Sequence, residues 1–257
     1  MRMGDLPTVA PDAVWHALWT AASAPYRRSG RFAWHFARGK LTRDPVFRAL
    51  LERGDLARAA RIVDIGCGQA LIASLLACAA EARRAGRWPA EWPATPQALQ
   101  YTGVELMPRD AARAEGALRS IAWPGSTLAV QCADMRQAAL PACDAVVILD
   151  VLHYVDHDAQ AAVLRRVHGA LRAGGPGGKL LLRIGDAAQQ RGFRISQWVD
   201  RTVTRIRGHR VAPTWGRTLE AWIALLQQTG FAARPVPMSQ GTPFANVLLV
   251  ATAEGTR

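Results

Sequence analysis

The 257-residue sequence predicts an α/β fold: a doubly wound, mostly parallel sheet of seven strands with an antiparallel C-terminal strand, preceded by a helical lid. Three observations carry that expectation. From Arg61 onward, short apolar runs alternate with segments of helical character. The first run, Arg61-Ile62-Val63-Asp64-Ile65, ends in a carboxylate and turns on Gly66 and Gly68 before a helix opens at Leu71. The last two β-rich runs fall outside the alternation and are joined by a short Gly-Thr-Pro loop, as in a hairpin.

The elements follow in order. Val14, Trp15, Leu18 and Trp19 repeat at helical spacing, so the N-terminus opens with a short amphipathic helix. Residues 26–41 are rich in Arg and aromatics, with Gly30 and Gly39 as breaks, and Asp44-Pro45 starts a helix with Asp at the N-cap and Pro at N1. The first strand is expected over 63–65 and an Ala-rich helix over 71–84. A Pro/Trp loop at 86–96, with Trp88 and Trp92, is placed on the surface before a second strand at 101–106. A helix over 111–122 leads to a third strand at 127–132, and a fourth at 145–149 is continuously apolar, as befits a strand covered on both faces. A helix over 159–171 ends in a glycine-rich stretch, a fifth strand occupies 179–184, and a helix at 219–229 stops at Gly230. The final β runs are 232–237 and 246–252. Residues 1–60 are read as a helical lid and substrate-binding extension, and 61–257 as the cofactor domain, with 191–217 a basic helical insertion.

The chain carries 32 basic and 20 acidic residues, net +12, and almost every base is Arg. A compositional bias toward Arg would spread this charge evenly. Instead residues 27–61 hold ten bases against three acids, and 191–217 hold seven against one. Surfaces built from these segments attract an acidic partner or substrate. Cys67, Cys78, Cys132 and Cys143 have no metal or redox spacing and read as buried free thiols of a reducing cytosol. The N-terminus has Asp5, Pro7, Pro11 and Asp12 and no apolar core of a signal peptide. No apolar run approaches the ~18 residues of a membrane span, so a cytoplasmic location is expected. Nothing in the sequence specifies an oligomeric state.

An acid lies at or just beyond the end of each of the first four strands: Asp64, Glu105, Asp134 and Asp150. Open α/β sheets bind ligands at that edge. A dinucleotide fingerprint requires glycine at position 71, where this chain has Leu71. A carboxylate beside a diphosphate is also electrostatically awkward. A cofactor without phosphate, bearing a sulfonium, an ammonium, a ribose diol and an exocyclic amine, suits the acidic rim better, and S-adenosylmethionine (SAM) has that chemistry.

Over residues 61–185, and more loosely beyond, the sequence resembles the class I SAM-dependent methyltransferase family, which implies a Rossmann-like sheet. Val63-Asp64-Ile65-Gly66-Cys67-Gly68 is similar to the family's glycine-rich first motif, whose third glycine is Ala70 here. The resemblance implies that Glu105 takes both ribose hydroxyls and that Leu106 and Met107 pack on the adenine. It implies that Asp134 accepts from the adenine amine while Met135 covers the ring edge. Leu149-Asp150-Val151-Leu152-His153-Tyr154 resembles the motif lining the methionine and the transferred methyl, and Gly177-Gly178-Lys179-Leu180 the loop before the fifth strand. The interval from Asp64 to Glu105 exceeds the roughly 20 residues of a compact βαβ unit, and the loop at 86–96 accounts for the excess.

For the acceptor, the absence of a proline pair after Asp150 disfavours nucleobase N-methylation; the Leu-His-Tyr form is that of small-molecule methyltransferases. His153 is the first candidate general base, and His35 the second if its segment folds over the site. Arg38 or Arg43 could fork onto the cofactor's carboxylate. Phe193, Trp198 and Trp215 could line an aromatic pocket, whereas His16, His157, His168 and His209 read as surface or helix residues. The basic segments suit an anionic small molecule, free or carried on an acidic acyl carrier protein. The 26–47 stretch also resembles methyltransferases of bacterial aryl-polyene and related polyketide pigment pathways, which implies aryl or acyl acceptors. The function expected is methyl transfer to an O or C atom of such a substrate. The alternatives are an RNA methyltransferase using the basic surface and a non-catalytic SAM-fold binding protein.

Overall fold

The structure is a computed structural model describing residues 10–187, 214–241 and 245–255. Most of the expected 191–217 insertion, with Phe193, Trp198 and His209, therefore lies outside the described residues.

Helix α1 (Pro11–Ser23) starts on a proline and buries Val14, Leu18 and Ala22, one residue per turn on one face. A short 3-10 helix, Ala24–Ser29, follows and buries Tyr26. Helix α2 (Arg31–Arg43) begins after Gly30, whose φ of +100° suits only glycine. Gly39 does not break the chain as expected: α2 runs through it, because Ala33, Ala37 and Leu41 form a buried stripe that outweighs one residue's poor helix propensity. Helix α3 (Pro45–Glu52) is capped as anticipated, with the Asp44 side chain accepting from the Val46 N–H at 3.2 Å.

The chain then alternates through β1 (Arg61–Ile65), α4 (Leu71–Arg84), β2 (Gln100–Glu105), α5 (Pro108–Leu118), β3 (Thr127–Cys132), β4 (Ala145–Leu149), α6 (His157–Gly174) and β5 (Lys179–Gly185). Among the described residues, helix α7 (Leu219–Gln228) and the hairpin β6 (Phe231–Pro237) and β7 (Asn246–Ala253) follow. The seven strands form one sheet in the order β3-β2-β1-β4-β5-β7-β6. β1 and β5 flank β4 in parallel, while β7 runs antiparallel to both β5 and β6. Strand order reverses between β1 and β4, which makes their carboxyl ends the ligand-binding crevice of a doubly wound sheet. The edge strand β6 carries Pro235 and Pro237, which a central strand would not tolerate.

Two compact units are distinguished. One comprises the residues up to Ala60, Gly68–Tyr101 and Met107–Val130; the other comprises Arg61–Cys67, Thr102–Leu106 and the chain from Gln131 onward. In the second unit, β1, β4, β5 and β7 share a core with Val163, Leu164, Val167 and Leu171 of α6 and Trp222, Leu225 and Leu226 of α7. The end of α6 meets β4 so closely that a Cβ on Gly174 would fall 1.9 Å from the Cys143 carbonyl oxygen. In the first unit, the 86–96 loop is not the surface elaboration expected. Trp92 is buried, Trp88 packs edge-on against it at 5.3 Å, and the Trp88 indole donates to the Pro93 carbonyl at 3.0 Å.

All four cysteines are free. Burial pushes the Cys143 thiol up to about 12 and the Cys78 thiol up to about 11, so both stay protonated. Cys132 departs from the expectation of burial: it is exposed, because it closes an edge strand.

Candidate functional site

Main-chain bonds between strand ends draw the sequence-distant acids together. The Gly66 and Cys67 N–H groups both donate to the Val104 carbonyl, at 2.7 and 3.1 Å, which binds the glycine turn to the end of β2. The Ala133 N–H donates to the Glu105 carbonyl at 2.9 Å, which links the end of β2 to the residues after β3. The Asp150 N–H donates to the Arg183 carbonyl at 3.3 Å. Asp64 and Glu105 are 3% and 9% exposed. At Gly66, φ is +71°, and an added Cβ would lie 2.6 Å from both Val151 methyl carbons. Here only glycine fits, because the chain leaving β4 presses directly on the turn.

The acids after β3 and β4 are held by arginines. Both oxygens of Asp134 accept from the Arg136 side chain, and one also accepts from the Arg136 N–H at 2.8 Å. These bonds hold the Asp134 carboxyl below the usual carboxylate range and raise the Arg136 guanidinium. Arg166 of α6 steadies the same turn by donating to the carbonyls of Met135 at 2.9 Å, Arg136 at 2.8 Å, and Ala138. Asp150 has φ +59°, a conformation that Asp tolerates better than most residues. Its carboxylate receives Nε and Nη2 of Arg183, a residue 2% exposed within β5. Sequence reading missed Arg183, although the signal was present. A lone arginine in an apolar run covered on both faces must bring a counter-ion with it. Arg136 and Arg166 gave no comparable sign.

His153 lies in the 3-10 turn Leu152–Tyr154 that follows β4, its ring 4.3 Å from that of Tyr154. Its carbonyl accepts from the Trp215 N–H at 2.8 Å. The fully buried Gln160 fixes the same segment: its amide donates to the Trp215 carbonyl at 2.8 Å and its oxygen accepts from Arg217 at 2.7 Å. The Trp215 ring is exposed and meets His157 edge-on at 5.4 Å. Leu106, Met135 and Leu149 stand at the ends of β2, β3 and β4, with Leu106 58% exposed.

Residues 33–236 match the model of a methyltransferase domain family. The chain belongs to that family. It is a class I SAM-dependent methyltransferase by fold and family, and its methyl donor is SAM. No curated protein sequence matches it. Among solved structures it is similar to human N-acetylserotonin methyltransferase in complex with SAM, with a TM-score of 0.56 and 15% identity over 96% of this chain. The chain spans 61% of that protein's length. An O-methyltransferase family protein from Burkholderia thailandensis gives a TM-score of 0.58 at 15% identity, covering 96% of this chain and 71% of that one. Magnesium protoporphyrin IX methyltransferase from Synechocystis PCC 6803, with bound S-adenosylhomocysteine, gives 0.52 at 17% identity, covering 95% and 100%.

The residues fit the methyltransferase donor. The Gly66 cradle excludes any side chain, and the negative charge of the enclosed Asp64 and Glu105 suits a cationic, diol-bearing ligand better than a phosphate. In the other unit, Arg38 stacks 5.0 Å from the Trp19 ring and 5.6 Å from Trp34, and Trp34 also meets His35 at 4.6 Å. Among the described residues, no cluster of His, Cys, Asp or Glu could hold a metal ion, and no helix is long and apolar enough to cross a membrane.

Proposed function

We propose that this methyltransferase moves the methyl group of SAM to an oxygen or carbon of a small anionic acceptor of aryl or acyl type, presented free or on an acidic carrier protein. The observation that carries this reading is the Asp150–Arg183 pair at the end of β4. It neutralises the one acid of that turn, so an anionic acceptor can approach without meeting a bare carboxylate. Exposed Tyr154 and Trp215 offer rings to an aryl group, and the exposed Arg27, Arg28, Arg31 and Arg38 offer charge to an acidic partner.

Within the donor site, Asp64, Gly66, Cys67 and Gly68 are assigned to the methionine end, Glu105 to the ribose hydroxyls, and Leu106, Asp134 and Met135 to the adenine. Leu149 and Asp150 line the methyl. Bound SAM supplies an electrophilic methyl on a positively charged sulfur. The protein's task is to place the acceptor atom in line with it and exclude water. Where the acceptor must lose a proton, the Asp150 carboxylate is already committed to two guanidinium bonds, which makes His153 the first candidate base. His35 and Arg38 remain candidates on α2.

Incubation with SAM and a panel of aromatic and acyl acids, free and carrier-bound, should give methylated products by mass. His153→Ala should lower turnover by about a hundredfold or more with SAM affinity preserved. Full turnover of that variant at every pH removes His153 as base. Methylation of RNA alone would move the acceptor to nucleic acid.

A further inference from the structure

The turn that receives the donor is held in an unfavourable backbone conformation. Positive φ recurs at Gly66, Gly68 and Ala70, at +71°, +56° and +57°. Glycine accepts this region freely, but Ala70 has a Cβ that crowds its own carbonyl there. Ala70 is also the N-cap of α4 and makes no side-chain cap bond, so its conformation must be held from elsewhere.

The restraint comes from the N-terminal helices. Tyr26, wholly buried in the 3-10 helix, donates its hydroxyl to the Gln69 carbonyl oxygen at 2.6 Å. That oxygen belongs to the planar peptide linking Gln69 to Ala70, so anchoring it sets the φ of Ala70. One turn later the buried Ser74 hydroxyl donates back to the Ala22 carbonyl at 2.8 Å. The two bonds run in opposite directions and join α1 and its 3-10 extension to the first turn of α4. Gln69 is itself buried, and its side-chain amide has no hydrogen-bond partner among the described residues, so the peptide is held by its main chain.

We propose that Tyr26 is a positioning residue for the SAM site: its hydroxyl holds the Gln69–Ala70 peptide in the orientation the donor turn requires. The proposal rests on the SAM reading of that turn. It makes the N-terminal helices and the donor mutually stabilising, since each favours the same turn conformation. It also explains how alanine can stand where the family has glycine.

Tyr26→Phe removes the hydroxyl and keeps the ring. Titration calorimetry should show SAM binding about tenfold weaker than in the wild type. Added to Tyr26→Phe, Ala70→Gly should bring binding to within about threefold of the Ala70→Gly variant alone, because glycine needs no tether at φ > 0. Equal affinity of Tyr26→Phe and wild type overturns the proposal. So does a double variant as far below Ala70→Gly as Tyr26→Phe is below wild type, since the hydroxyl then does not act through Ala70. If the wild type binds no SAM, the donor reading itself fails. The tether is then judged on ligand-free protein, where hydrogen exchange of residues 66–76 should be several-fold faster in Tyr26→Phe. Unchanged exchange overturns it.

Discussion

Asp64 and Glu105 close β1 and β2, and Asp134 and Asp150 follow β3 and β4. In sequence the four look equivalent, each an acid at the carboxyl end of an apolar run. In the folded protein they divide into two pairs. Asp64 and Glu105 are enclosed by the chain. Asp134 and Asp150 are partly open, at 22% and 29% side-chain exposure, and each is gripped by an arginine. The position of an acid thus locates the ligand edge of the sheet, but its surroundings decide its role. A forked carboxylate has already given much of its acceptor capacity to a guanidinium, which limits what it can offer a ligand.

The deepest arginine provides the largest test of this division. In Arg183→Leu, the partly open Asp150 carboxylate loses two charge-assisted guanidinium bonds. Chemical denaturation should report a loss of about 3–5 kcal/mol. Adding Asp150→Asn removes the charge while keeping a residue tolerant of φ +59°, and should recover most of that loss. Arg183→Leu within about 1 kcal/mol of wild type would mean that the pair behaves as a surface ion pair, and the division at β4 would be wrong.

Much of the fold was legible because its signals are local and repeated. The bounds of α4, β3 and β4 agree with the sequence reading to the residue, since each is a run of one character between strong breaks. The signals that misled were single residues overridden by packing. Gly39 sits within a helix whose buried stripe holds it, and Trp92 is buried in a loop whose proline content suggested exposure. The donor turn was legible as a motif, but the contacts that hold it were not. Tyr26 lies 43 residues before Gln69, and Arg166 lies about 30 residues after the turn it steadies. No spacing rule connects such pairs; only the closed fold does.

The next effect concerns ligand affinity. Glu105→Gln keeps the size of the side chain and removes its charge. SAM should bind about 10- to 100-fold more weakly, the loss of a charge-assisted contact of roughly 1.5–3 kcal/mol. Asp134→Asn should cost only a few-fold on the same scale, because the Arg136 bonds already occupy its oxygens. Equal losses in the two variants would erase the distinction between enclosed and forked acids on the donor side.

The smallest effect separates the two forked acids. Arg136 is 55% exposed, so water and salt screen its pair with Asp134, unlike the interior Arg183. Arg136→Ala should therefore change stability at neutral pH by less than about 1 kcal/mol. Its signature lies in acid. The Arg136 hydrogen bonds depress the carboxyl of folded Asp134, so its contribution is fully present above the ordinary carboxylate value of about 3.9. That contribution is lost as the pH falls through the lower, folded value. In Arg136→Ala this acid limb of the stability profile should flatten, and wild type at high salt should partly imitate the variant. An unchanged limb would show that the turn owes its acid sensitivity to another group. In that case Arg166, which fixes the carbonyls of the same turn, would restrain it without help from the ion pair.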